Sequence, residues 1–140
     1  MLKSVERILE KTELPRFVKV SYAMPQQKVA NIRQATLDAL NSRGISDRIV
    51  PNSRIAITAG SRCISNIVEI LKTIVDVVRE KGASPYIGPA MGSHGGATAE
   101  GQLEMLHGYG ITQEAVGAPI ISDMTTEYVG ETPHGLPDMP

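Results

Sequence analysis

Apolar residues recur along this chain with two different periods, and the switches between them lay out its elements. Between Pro15 and Pro25, the run Phe17, Val18, Lys19, Val20, Ser21, Tyr22 alternates apolar and polar side chains, the signature of a short strand bounded by turn residues. From Gln26 the spacing lengthens. Val29, Ile32, Leu37 and Leu40 then fall on one side of a helix, with Pro25 suited to its first turn and Gly44 to a left-handed C-terminal cap.

The middle of the chain is the most legible. Arg54-Ile55-Ala56-Ile57-Thr58 is short and β-prone and runs at once into Ala59-Gly60-Ser61-Arg62, a strand entering a tight turn. Ile67, Ile70, Leu71, Ile74, Val75 and Val78 next mark one buried helix face, opposite Glu69, Lys72, Asp76 and Arg79, until Gly82 stops it. Ser84-Pro85-Tyr86-Ile87-Gly88-Pro89 reads as a second strand. Strand, helix and strand within about 35 residues is the size of a right-handed βαβ unit, so the two strands are expected to pair in parallel. The pattern repeats: Ala90 to Ala97 is a Gly-rich loop, Thr98 caps a helix from Ala99 to His107, and Gly108 and Gly110 close it. A helical turn at Thr112 to Val116 and extended segments at 118–122 and 127–130 follow. The fold class predicted is α/β, an open, mainly parallel sheet built from βαβ units with Gly-rich βα loops.

Composition narrows the classes. The 140 residues are 41% hydrophobic, which suits one globular domain spanning 1–140. Fourteen basic against 15 acidic residues give a net charge of -1, and aromatics are only 4%, which excludes a strongly basic or base-stacking nucleic-acid binder. No apolar stretch is long enough to span a bilayer. With no signal-peptide core at the N-terminus and Cys63 as the one cysteine, a cytoplasmic location without disulfides is expected. The turn-rich run Thr132 to Pro140 follows the last extended segment without an element to cover it, so a truncated chain is expected, with a frayed polar tail as the plainer reading.

Candidate chemistry sits on the two βα loops. The first carries Gly60, Ser61 and Arg62; the second carries Gly92, Ser93, His94, Gly95 and Gly96. At the carboxyl ends of neighbouring parallel strands such loops commonly bind ligands, and backbone N–H groups near a helix start favour an anion. Arg62 offers a bidentate contact to carboxylate or phosphate, and His94 a proton-transfer group near neutral pH. Plainer roles stand beside these: glycines that relieve tight turns, a solvated Arg62, His107 as a helix-end cap, His134 in the tail and Cys63 as a small buried residue. Phosphate-loop, H-E-x-x-H and zinc spacings are absent from the sequence. Ser93 beside His94 is no nucleophile–base pair, since adjacent turn residues aim their side chains apart.

Ile55 to Arg62, followed by Pro89-Ala90-Met91-Gly92-Ser93-His94-Gly95-Gly96-Ala97-Thr98-Ala99-Glu100-Gly101-Gln102 and then Tyr109 to Thr112 and Gly117 to Ile120, resembles the N-terminal domain of the nickel-dependent lactate racemase (LarA-like) family over roughly residues 15 to 137. The resemblance implies two α/β domains around a nickel pincer nucleotide. It implies His94 as one of two acid/base residues, taking the 2-hydroxyl proton while the C2 hydride moves to the cofactor. It implies Arg62 holding an anionic group, with Gly60, Ser61, Gly92 and Ser93 beside the cofactor. The substrate class implied is a small 2-hydroxy acid. Ala59 and Cys63 replace the family's acidic residue and proline, so the reaction type carries over better than lactate itself. The tethering lysine, the nickel ligand and the second acid/base histidine are expected outside this chain, which would make it inactive alone and inclined to homodimerise. Two other readings use the same loops: a stand-alone anion- or nucleotide-binding module, and a non-catalytic truncated product.

Overall fold

The structure, a computed structural model, describes residues 7, 9–10, 16–24, 28–62, 64–126, 128–135 and 137–138. In chain order its elements are α1 (Ile32–Ser42), a 3-10 turn (Ser46–Arg48), β1 (Arg54–Ala59), α2 (Ile67–Glu80), β2 (Ser84–Pro89), a second 3-10 turn (His94–Ala97), α3 (Ala99–Gly108), α4 (Gln113–Val116), β3 (Gly130–Glu131) and β4 (Pro137–Asp138).

β1 and β2 pair in parallel from Arg54 opposite Ser84 to Ala59 opposite Pro89, with α2 as the crossover between them, as the periodicity predicts. The extended segment after α4 joins on the far side of β2. There the Ile87 amide donates to the Pro119 carbonyl and the Ile121 amide to the Ile87 carbonyl, each at 2.8 Å, making a parallel bridge between Ile87 and Ile120. The mixed α/β architecture is therefore a small open parallel sheet of two strands with helices, with the Ile120 bridge on the side of β2 away from β1.

Period-2 alternation on β1 turns Ile57 and Ala59 into the core and leaves Arg54, Ala56 and Thr58 exposed. The buried side meets the apolar stripe of α2. Ile57, Ile87, Leu71, Val75 and Val78 share one cluster with Leu106, Ile111 and Val116. Val75, Ile87, Leu106, Ile111 and Val116 are fully enclosed, each contributing roughly 1.5–3 kcal/mol relative to exposure. On the open side, the Arg54 guanidinium lies 5.2 Å above the centre of the Tyr86 ring, a cation–π contact that covers part of the sheet.

Among the described residues, all three long helices stop the same way. Past α2, the Gly82 amide donates to the Arg79 carbonyl and the Ala83 amide to Val78; past α3, Gly110 donates to His107 and Ile111 to Leu106; Gly44 and Ile45 repeat this after α1. These are Schellman caps, in which a left-handed glycine, here at φ +60, +77 and +76 for Gly44, Gly82 and Gly110, lets the next apolar residue fold back on the helix. Ile111 packs on Leu106 in this way, and both are fully buried.

Three expectations shift. The Phe17–Tyr22 segment forms no strand: residues 16–24 make no ladder among the described residues, and Phe17, Val18, Val20 and Tyr22 are 94%, 79%, 80% and 74% exposed. Alternation supplies a face, but strand structure also needs a neighbouring edge. α1 begins at Ile32, not near Gln26, because the Asn31 carboxamide accepts from the Gln34 amide at 2.8 Å and caps the helix there; Val29 is left exposed, and Pro25 to Gln27 lie outside the described residues. Of the extended segment expected at 127–130, Glu127 lies outside the described residues and Gly130 opens β3, which pairs antiparallel with β4 across a turn closed by the Gly135 amide on the Thr132 carbonyl. Cys63 also lies outside the described residues. No described helix is long and apolar enough to cross a membrane.

α1 leans on α2 with no fully buried residue of its own, and the Arg33 guanidinium is 2.8 Å from the Asp76 carboxylate. That hydrogen bond, with help from Lys72, holds the Asp76 carboxyl below its ordinary value despite partial burial. A lowered folded-state pKa stabilises above the unfolded carboxylate value and is lost as pH falls through the acid range. Because Arg33 is half exposed, the pair is worth about 0.5 kcal/mol at neutral pH. Arg33→Ala is expected to cost that much at pH 7 and almost nothing at pH 2, measured by urea unfolding at both.

Candidate functional site

The parallel ladder delivers both Gly-rich loops to one edge of the sheet. The Ala90 amide still donates to the Ala59 carbonyl at 2.8 Å, so the strands stay paired to the point where the loops begin. The first loop leaves through Gly60 to Arg62, and the second through Met91 to Thr98.

The second loop is fixed by its contact with the helix it feeds. Gly95 and Gly96 sit at φ +63 and +69 inside the turn His94–Ala97, and Gly95 lies backbone to backbone against Gly101 of α3. A Cβ built on Gly95 would stand 2.5 Å from the Gly101 carbonyl carbon, and one built on Gly101 would fall on the Gly95 carbonyl oxygen. Glycine is thus required on both sides of the contact. Thr98 caps α3 by accepting from the Gly101 amide at 3.0 Å, and the Gln102 carboxamide, on a side chain only 5% exposed, donates to the Gly92 carbonyl at 2.8 Å. The first loop has one comparable tie: the Tyr109 hydroxyl, at the end of α3, donates to the Ser61 carbonyl at 2.6 Å.

With both loops held by α3, Ser61 Oγ and His94 Nδ1 come within 2.5 Å of each other. The sequence places these residues in separate loops, 33 positions apart, and the structure brings them together. Gly60 and Gly92 flank them, and neither is crowded: a Cβ on Gly60 would meet only the Ala90 carbonyl at 3.8 Å, and Gly92, at φ +58, has open space around it. Ser93 is exposed and makes no capping bond.

Arg62 takes a different direction. It lines a groove of about 590 Å³ with Lys72, Glu69, Tyr109 and the apolar Ile64 and Val68. His94 is not part of that wall. Lys72 in that wall is ion-paired with Asp76 at 3.5 Å, so Arg62 is the wall's cation for an anion with an apolar body. His107 lies exposed in the last turn of α3 and His134 exposed in the β3–β4 turn. Among the described residues, no group of three or more His, Cys, Asp or Glu side chains is placed to hold a metal ion.

Ser61 as the partner of His94, and Gln102 and Tyr109 as anchors, are not evident from local patterns. Only the parallel register hints at them, since adjacent strands put their following loops side by side.

The Gly95–Gly101 contact yields a paired expectation. Gly101→Ala forces backbone against backbone and should cost about 3 kcal/mol, whereas Gly96→Ala, strained in φ but free of neighbours, should cost about 1 kcal/mol; thermal denaturation of both variants checks the difference. Compared with family models, with curated proteins and with solved structures, the chain gives no match.

Proposed function

We propose that this chain contributes the acid/base and anion-binding groups of a site acting on a small 2-hydroxy acid, in the manner of the nickel-dependent lactate racemase family that its loops resemble. The observation that carries the reading is the Ser61–His94 contact, which joins the two resembling loops at the carboxyl edge of a parallel sheet. In this reading the His94 imidazole accepts the 2-hydroxyl proton and returns it to the product, while Arg62 grips the carboxylate as a planar fork.

The nickel ligand and tethering lysine that the resemblance implies would lie outside this chain, with Gly60, Ser61, Gly92 and Ser93 as the residues that would border the cofactor, so no hydride step is assigned to this chain. Its share of the chemistry is proton transfer at oxygen and orientation of the acid.

A second reading, an anion-binding module without chemistry, is favoured by one feature: Arg62 and Lys72 line a groove that excludes His94. Calorimetric titration with a 2-hydroxy acid and with its deoxy analogue separates the two. For the acid/base reading, the hydroxy acid binds more tightly, Arg62→Ala weakens binding roughly 10- to 100-fold by loss of a charge-assisted contact, and His94→Ala weakens only the hydroxy acid. Equal binding of both acids, unchanged by His94→Ala, selects the module. Binding of neither overturns both. Where the site is complete and turns over, His94→Ala should lower the rate roughly 10²- to 10⁴-fold.

A further inference from the structure

We infer that Ser61 is a positioning residue for His94: Ser61 Oγ accepts the Nδ1 proton, so that Nε2 keeps its lone pair and faces outward as the base. The inference rests on the acid/base reading for its purpose, but its geometry is independent of it. Ser61 Oγ and His94 Nδ1 are 2.5 Å apart, and the Ser61 backbone is held in place by the Tyr109 hydroxyl on its carbonyl. The backbone that carries His94 is held from the other side, since the Gln102 carboxamide fixes the Gly92 carbonyl and the Gly95–Gly101 contact fixes the turn that begins at His94.

The direction of the hydrogen bond follows from what the ring must do. A neutral imidazole has one N–H and one lone pair, and the partner of one nitrogen determines which nitrogen carries the proton. If Ser61 donated, the proton would sit on Nε2, and the outward nitrogen could give a proton but not take one. If Ser61 accepts, Nε2 is the free base. Both nitrogens of the imidazolium are donors, so the Nδ1–H to Oγ bond survives proton uptake and becomes charge-assisted. Only the accepting arrangement keeps the same hydrogen bond in both protonation states, with no rotation of the hydroxyl during the transfer. The serine here does for the ring what a carboxylate does in hydrolytic triads, holding one tautomer and one orientation, without placing a negative charge beside it.

The test is nitrogen NMR of the full chain labelled with ¹⁵N in its histidine rings, recorded above the imidazole titration, with His94→Gln used to assign the His94 signals. The expected wild-type result is a single neutral form protonated at Nδ1. Ser61→Ala should lose that single form and give a tautomer mixture at His94, while His107 and His134 stay unchanged, and Ser61→Thr, which restores the hydroxyl, should recover it. Protonation of Nε2 in the wild type overturns the inference, as does a His94 tautomer unaffected by Ser61→Ala. The wild-type spectrum decides the direction of the bond even if Ser61→Ala fails to fold. No ligand is present in these spectra. Failure of a 2-hydroxy acid to bind would thus remove the proposed function and leave the Ser61–His94 assignment standing, and the converse holds equally.

Discussion

The parallel backbone ladder between β1 and β2 is the constraint on which the site depends. Its register runs from Arg54 opposite Ser84 to Ala59 opposite Pro89, and the Ala90 amide extends it by one further bond to Ala59. Parallel strands emit their following loops at the same edge, separated by one strand spacing of about 4.8 Å. Ser61 and His94 can therefore meet although α2 and the whole of β2 lie between them in sequence. A shift of one strand by one residue in that register would turn its core isoleucine, Ile57 or Ile87, out of the core and carry Ser61 away from His94 in the same movement. The burial that stabilises the sheet is thus also what aligns the candidate site.

α3 is the second support, and it works through polar contacts to backbone. Four of its groups reach the loops: Gly101 by close approach to Gly95, its amide by the Thr98 cap, Gln102 by the Gly92 carbonyl, and Tyr109, just past its end, by the Ser61 carbonyl. Carbonyls of irregular loops need partners when they approach the core, and here the partners are supplied by the helix that the second loop feeds. The helix is fixed to the core by Leu106 and by the Schellman turn that buries Ile111. Apolar packing sets the helix, and the helix sets the loops.

Much of this was legible in the sequence, and the reasons for the rest are specific. The α2 stripe and the flanking β-prone runs carried enough periodic signal to place β1, α2 and β2 within a residue or two of their observed ends, and Gly44, Gly82 and Gly110 marked helix ends through a backbone requirement that few residues meet. The Phe17–Tyr22 alternation gave a face without a partner, and pairing is a nonlocal property that no local pattern contains. Asn31 outweighed Pro25 as a helix start because a side chain that satisfies an amide outcompetes a residue that merely tolerates the first turn. His94 and Arg62 were identifiable by residue type and loop context, but their divergence was not: adjacent residues Ser61 and Arg62 point to different places, one to His94 and the other into the groove against α2.

That divergence bears on how a ligand would be held. The candidate site groups are the exposed ones: His94 and Arg62 both face solvent, whereas Gln102 is buried and Tyr109 and Ser61 are half-buried. Exposure costs the two cationic or titratable groups little in desolvation and leaves them accessible, and it also means that the site becomes selective only when a ligand or another surface excludes water from it, because charge-assisted contacts weaken in high dielectric. A small acid gripped only by Arg62 in open solvent would be held loosely. One that spans from the Arg62–Lys72 groove toward His94 would displace water from both loops at once, and it would meet an imidazole whose orientation has already been fixed by Ser61. Pre-organisation of the ring is the larger part of what this scaffold offers, since an exposed histidine free to rotate would surrender that orientation to entropy before any proton moved.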